Sequence, residues 1–284
     1  MLTRRRLLAM RLLGGGGVAP PAFVGAYDAI ANLVHVYEPA RRTLSAYTGN
    51  LLRLRRDSDD AEADFGYVEA TGELDTAAIA VWLGGSAGYV VTVYDQAGGD
   101  NITQATAGAQ PLYAASAQNG HAGMTFDGGD WLLGAFTNGG ALSQPFTVYA
   151  AATQDVAAVD TGNRMLLDGE ATQRMALMQQ NKAGPDVWQI YAGSALFGAA
   201  STSDPSLWSA LFNGASSQFW NNDISWAAGN AGANNAPSIT VGADVSQSLL
   251  WDGDIMMVAI ADPSHDDTQR GAMQTALNAY WSIY

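Results

Sequence analysis

Residues 219–235, FWNNDISWAAGNAGANN, set Trp220 and Trp226 among five asparagines and Asp223. Aromatic faces beside planar amides suit sugar rings, whose C–H surfaces stack and whose hydroxyls pair with carboxamides and carboxylates. Trp220, Asn221, Asn222, Asp223 and Trp226 are therefore candidate carbohydrate-binding residues, set against the plainer reading that both rings fill a core. Other groupings point to less. His35, His121 and His265 stand far apart, and the sequence has no cysteine, so neither a histidine cluster nor a thiolate metal site is expected. Two Asp-Gly turns, DGGD at 127–130 and DGD at 252–254, have oxygen ligands for calcium, but Asp-Gly is also a common hairpin turn. No cofactor and no metal is expected.

The elements that would carry these residues are mostly strands. Glycine is frequent, at 32 of 284 residues, and only 14% of positions are charged, a composition of tight turns between strands rather than long charged helices. Leu52 and Leu54 alternate with Arg53 and Arg55, the period of a half-buried strand. Residues 88–95 read as another strand, running into the Asp95-Gln96 pair, which we read as a corner: both side chains can bond turn amides. ELDTAAIAVWLGG predicts a helix, with Asp75 near its start and Gly84-Gly85 to stop it. ARRTLSAYTG predicts a brief helix ending at Gly49, and AYDAIANLVHVY a short apolar helix or strand. Strand-sized runs then recur to residue 261, the pattern of an antiparallel sandwich. The last is a terminal amphipathic helix with Asp262 or Ser264 as cap and Met273, Leu277 and Trp281 on one face.

Charge divides the chain. Residues 1–56 hold nine arginines against Asp28 and Glu38, a balance of +7, whereas residues 57–284 hold four bases against 25 acids, a balance of −21. The acidic body would repel phosphates, which argues against a nucleic-acid partner. The first 26 residues imitate a secretory or twin-arginine signal, but Arg11 splits the apolar stretch, and neither piece approaches the length of a membrane span. The expectation is an extended basic arm over residues 1–26, anchored through Arg4, Arg5, Arg6 and Arg11, followed by one domain over 27–284.

Two stretches together resemble a known family. Ala46-Tyr47-Thr48-Gly49, Arg55-Arg56, Ser58-Asp59-Asp60, Tyr94-Asp95-Gln96 and Thr103-Gln104-Ala105 resemble the opening of the α-L-arabinofuranosidase B catalytic domain, and similarly built domains of tailed-phage and prophage virion proteins. MTFDGGDWL, ITVGADVSQSLLWDGDIMMVAIAD and the terminal helix look like a concanavalin-like, laminin-G-type jelly roll. The resemblance implies a mostly β fold: a concanavalin-like antiparallel β-sandwich (jelly roll) with a few short helices, a C-terminal helix and an extended N-terminal arm. It also implies the retaining two-carboxylate mechanism, in which the nucleophile is a Glu after a Met and the acid an Asp after Gly-Gly. Matched onto this sequence, Ala176 after Met175 takes the nucleophile's place, and Asp244 in GADV takes the acid's place. A methyl group cannot form a glycosyl-enzyme, so no glycosidase activity is expected, and Asp244 joins the candidate sugar contacts.

The reading that follows is a virion-associated structural or attachment protein of a tailed phage or phage-like particle. Its arm would dock on other virion structural proteins, and its sandwich, as a homo-oligomer, would bind host cell-surface polysaccharide. The alternatives are a secreted arabinofuranosidase-like glycoside hydrolase, and a purely structural head or tail component without a ligand.

Overall fold

The structure, a computed structural model, describes residues 22–155, 162–182 and 184–284. Arg4, Arg5, Arg6 and Arg11, and most of the expected arm, lie outside the described residues. All strand pairings are antiparallel.

The first half supplies β1 (Leu33–Tyr37), β2 (Leu52–Arg56), β3 (Glu62–Phe65), the helix α1 (Thr76–Leu83), β4 (Gly88–Val93), β5 (Ile102–Thr103), β6 (Leu112–Gln118), β7 (His121–Asp127), β8 (Leu132–Ala135) and β9 (Phe146–Gln154). The second half supplies β10 (Arg164–Asp168), β11 (Ala176–Lys182), β12 (Gly184–Tyr191), β13 (Ala195–Ala200), β14 (Ser206–Phe212), β15 (Ser217–Asn221), β16 (Ile224–Gly229), β17 (Ser238–Val241), β18 (Asp252–Ala261) and α2 (Asp267–Trp281).

Two layers follow from the pairings. One runs β16–β15–β14–β9–β18, with β1 and β7 sharing the far side of β18 and β6 beyond β7. The other runs β3–β2–β4–β5–β8–β17–β10–β11–β12–β13. A single pair, Tyr89↔Leu112, joins them where β4 meets β6. Strand alternation sends Leu52, Leu54, Val90, Phe126, Phe146, Trp208, Phe219 and Trp251 into one core between the layers. A second core lies outside the first layer, where α2 buries Met273, Leu277 and Trp281 against Tyr149, Leu207, Met257 and Ala259.

The local expectations largely hold. Asp75 caps α1 by accepting the Ala78 amide, and Gly84 ends it in the left-handed region. Asp95 and Gln96 form a buried corner. The Asp95 carboxylate accepts the amides of Val36, Ala97, Gly98 and Asp100 and bonds His35 Nδ1. Gln96 accepts from Thr43 and donates to the carbonyls of Glu38 and Arg41. Two details differ. Residues 40–49 are not helical, because the amides of Arg42 and Thr43 go to Gly72 and Gln96, distant in sequence. The cap of α2 is Asp266, rather than Asp262 or Ser264. Asp262, Ser264 and His265 are held by Asn32, Pro145 and Thr147, so the helix starts only once the chain has left the sheet edge.

Candidate functional site

The hairpin of β15 and β16 carries five of the predicted sugar contacts and directs them apart. Asn222 and Asp223, with φ of 48° and 61°, form the two-residue turn itself, whose twist requires positive φ at both positions. The Asn222 carboxamide is occupied by the Leu207 amide at 2.8 Å, and Asp223 pairs with Arg270. Trp226 packs edge-on against Trp208 (5.2 Å) and Phe219 (6.2 Å) of the central core. Trp220, adjacent to Phe219 and so on the other face, lies beneath the Arg270 guanidinium at 4.5 Å. Asn221 is 7% exposed. The rings therefore share no surface, and the predicted aromatic platform does not form. Asp244 stands elsewhere, on the loop after β17.

The two positions matched to the glycosidase mechanism are linked through Leu249. Ala176 is fully buried and clusters with Met165, Met178, Tyr191 and Leu249. Asp244 accepts the Leu249 amide at 2.8 Å and the Ser248 amide at 2.6 Å. Beside Leu249 opens a cavity of about 270 Å³ lined by Arg174, Met178, Gln180, Gln189, Tyr191 and Leu249, among others; neither Ala176 nor Asp244 is among its described lining residues. Its floor is one face of β11 and β12: the pairs Ala176↔Tyr191 and Met178↔Gln189 lie side by side.

The cavity brings together a guanidinium, two carboxamides and an aromatic ring. Arg174 is clamped by Asp168 through Nε (2.9 Å) and Nη2 (2.7 Å), and its guanidinium sits 6.0 Å from the Tyr191 ring. Burial works against its charge, but Asp168, with Asp244 behind it, raises the Arg174 pKa above the usual value. Gln189, 3% exposed, donates to the Met178 sulfur, while its Oε1 and that of Gln180 have no partner among the described residues. Buried acceptors of this kind normally find a donor. No carboxylate is among the described residues that line the cavity. Burial opposes ionisation of Asp244, yet the amides of Leu249, Ser248 and Ser246 outweigh it and hold the carboxyl below the usual carboxylate range. That is the setting of a turn-forming carboxylate rather than of a proton donor near neutral pH.

The reading of the sequence reached Asp244 and Ala176 but missed Gln189, Tyr191 and Arg174. Gln189 and Tyr191 alternate along a strand, a signal that shows a shared face but not which face meets a cavity. As for the Asp-Gly turns, among the described residues no group of three or more His, Asp or Glu side chains is placed to hold a metal ion.

Residues 29–172, just over half of the chain, match the family model described as Alpha-L-arabinofuranosidase B, catalytic. The chain belongs to that family. Its fold is similar to an arabinofuranosidase complexed with arabinofuranosyl-α-1,2-xylobiose, with a TM-score of 0.72 at 16% identity, covering 90% of this chain and 64% of that one. A GH54 α-L-arabinofuranosidase soaked with a cyclic sulfate inhibitor is similar at TM-score 0.69 and 17% identity, with the same coverage. The arabinofuranosidase-like chain thus spans less than two thirds of the length of these structures. No curated protein matches the sequence significantly. The family model ends at residue 172, ahead of Ala176, Gln189 and Asp244. These similar structures are arabinofuranosidases, and nothing in them supports the expected virion role.

Proposed function

We propose that this arabinofuranosidase-like domain binds a single neutral sugar ring in the cavity between β11, β12 and the loop after β17, and does not cleave it there. One observation carries the reading: Gln189, whose buried Oε1 has no partner among the described residues, lines a cavity together with Gln180, Arg174 and Tyr191, and no carboxylate is among the described residues that line it. The carboxamides of Gln180 and Gln189 suit sugar hydroxyls, the guanidinium serves a ring or hydroxyl oxygen, and Tyr191 offers a face for C–H groups. At about 270 Å³ the space is at or below the lower end of small-molecule sites, which favours one ring over a chain.

Retaining hydrolysis is the second reading, and family membership favours it. It needs two carboxyl groups about 5–5.5 Å apart. Ala176 supplies none, Asp244 is committed to its turn, and Asp168 is fully buried against Arg174. The virion attachment reading rests on the charge division of the sequence and on its resemblance to virion-protein domains, and no comparison supports it.

The experiment is calorimetric titration with arabinose, alongside an assay of an aryl arabinofuranoside. Saturable binding that Gln189→Leu weakens about tenfold, with no turnover, supports the proposal. Turnover above background, or binding indifferent to Gln189→Leu, counts against it.

A further inference from the structure

A second feature of the fold shares no lining residue with this cavity. At the seam between the two layers, the strand registers place five side chains in one cross-strand row: Arg55↔Tyr89, Tyr89↔Leu112, Leu112↔Thr125 and Thr125↔Asp254, across β2, β4, β6, β7 and β18. Residues directly opposite one another across paired strands lie on the same face. The row therefore forms a strip with an apolar middle, Tyr89 and Leu112, and polar ends.

Two troughs of about 520 Å³ each flank this strip and meet at Thr125 and Asp127. Leu112 is 38% exposed, although its strand is paired on both sides. Arg55 is fixed over the Tyr89 ring at 4.8 Å by Gln110 (2.7 Å) and Asp60 (2.8 Å), which leaves the opposite side of the ring to the trough. Asp127 and Asp252 stand directly opposite each other across β7 and β18, a like-charge pair that weakens a sheet. The strip thus leaves a leucine uncovered and sets two acidic side chains across from each other.

We propose that this strip is a second glycan-binding site, which takes a neutral oligosaccharide of two or three rings along the troughs. Tyr89 and Leu112 meet the C–H faces of the sugar, and Asp127, Asp130 and Thr125 bond its hydroxyls. Asp57, Asp127, Asp130, Asp155, Asp252 and Asp254 line the troughs, with Arg55 the sole base among the described lining residues. Uronate-bearing chains are therefore repelled, and neutral ones are not. The proposal is independent of the Gln189 cavity, which is too small for such a chain.

The test is titration of the full chain with arabinotriose, xylotriose and a xylotriose substituted with glucuronic acid. Leu112→Asn and Asp127→Asn are the principal variants, because both side chains are exposed; each is read only with an unchanged melting midpoint. Tyr89→Ala is a third, read only with an unchanged melting midpoint. The expected result is saturable binding of one neutral trisaccharide, weakened about tenfold by Leu112→Asn and by Asp127→Asn and unaffected by Gln189→Leu. The glucuronate-bearing probe should bind at least tenfold more weakly than its neutral parent. Absence of binding by both neutral trisaccharides at millimolar concentration overturns the proposal, as does binding that neither Leu112→Asn nor Asp127→Asn alters. If Gln189→Leu leaves arabinose binding intact while Leu112→Asn abolishes trisaccharide binding, the cavity proposal falls and this one stands.

Discussion

Trp220 and Trp226, six residues apart on one hairpin, face opposite sides of their sheet: Arg270 covers the first, and Trp208 and Phe219 hold the second. Both rings are packed against other side chains of the fold. Trp226→Ala removes an aromatic side chain packed against the central core, and Trp220→Ala empties the space beneath Arg270. Each should destabilise the domain by about 3 kcal/mol, at the lower end for aromatic-to-alanine changes because neither site is wholly closed. Urea unfolding midpoints would measure this. Sugar affinity of the folded fraction should be unchanged, and a stable Trp226→Ala variant that had lost binding would reverse the assignment.

The Asp95 corner joins β1 to the turn after β4 through four amides and His35. Asp95→Ala would strip acceptors from amides that have been withdrawn from water. Each orphaned group costs about 1–3 kcal/mol, so a loss on the order of 4 kcal/mol is expected. For a domain of this size that corresponds to a fall in melting temperature of roughly 8 °C or more. Asp95→Asn, which retains one acceptor oxygen, should lie between the variant and wild type. A shift of less than about 2 °C for Asp95→Ala would contradict the role given to this corner.

Local signals reached the corner and α1 through their near partners: Asp95 bonds amides two to five residues ahead, and Asp75 caps an amide three ahead, while the bonds from the corner to His35, Val36 and Thr43 are legible only in the fold. They failed at residues 40–49, where Gly72 and Gln96 claim the amides a helix would have used. The same limit hid the sites. Trp220 and Trp226 have the right chemistry for sugar, but their directions depend on a register shift between Phe219 and Trp220 that no composition shows. The Arg55–Tyr89–Leu112–Thr125–Asp254 row exists only through the registers of five strands, drawn from residues 52 to 261.

Asp130 should make stability fall as pH rises. Burial, then the neighbouring Asp127 carboxylate, pushes its carboxyl up to about 7. Between roughly pH 4 and 7 the folded chain keeps this proton and the unfolded chain has lost it. The stabilisation is therefore complete at low pH and disappears as pH passes 7. A gap of about three pH units is worth about 4 kcal/mol at most, and partial contact with solvent reduces it to about 2 kcal/mol. Asp254, also raised by burial first and Asp155 second, adds in the same direction. Urea unfolding of wild type and Asp130→Asn between pH 4 and 8 would check this. The variant should have the flatter profile, and parallel profiles would remove Asp130 as the cause.

Asp244 decides between a turn and a catalyst. Its Oδ1 accepts the amides of Ser248 and Leu249, and Ser248 Oγ lies 3.2 Å from both carboxylate oxygens. Asparagine retains Oδ1 for both amides, so Asp244→Asn should fold with a loss of about 1 kcal/mol, the difference between charged and neutral acceptors. The new amide cannot act as an acid. Were Asp244 a proton donor, turnover of an aryl arabinofuranoside would drop by about 10²–10⁴-fold. With the carboxylate committed to its turn, wild type and Asp244→Asn should give the same background rate, and arabinose affinity should agree within about twofold, because the cavity is lined by Leu249 and Arg174 rather than by Asp244 itself. Measurable wild-type turnover that vanishes in Asp244→Asn would show instead that the loop after β17 carries a working acid, and that its nucleophile stands somewhere other than Ala176.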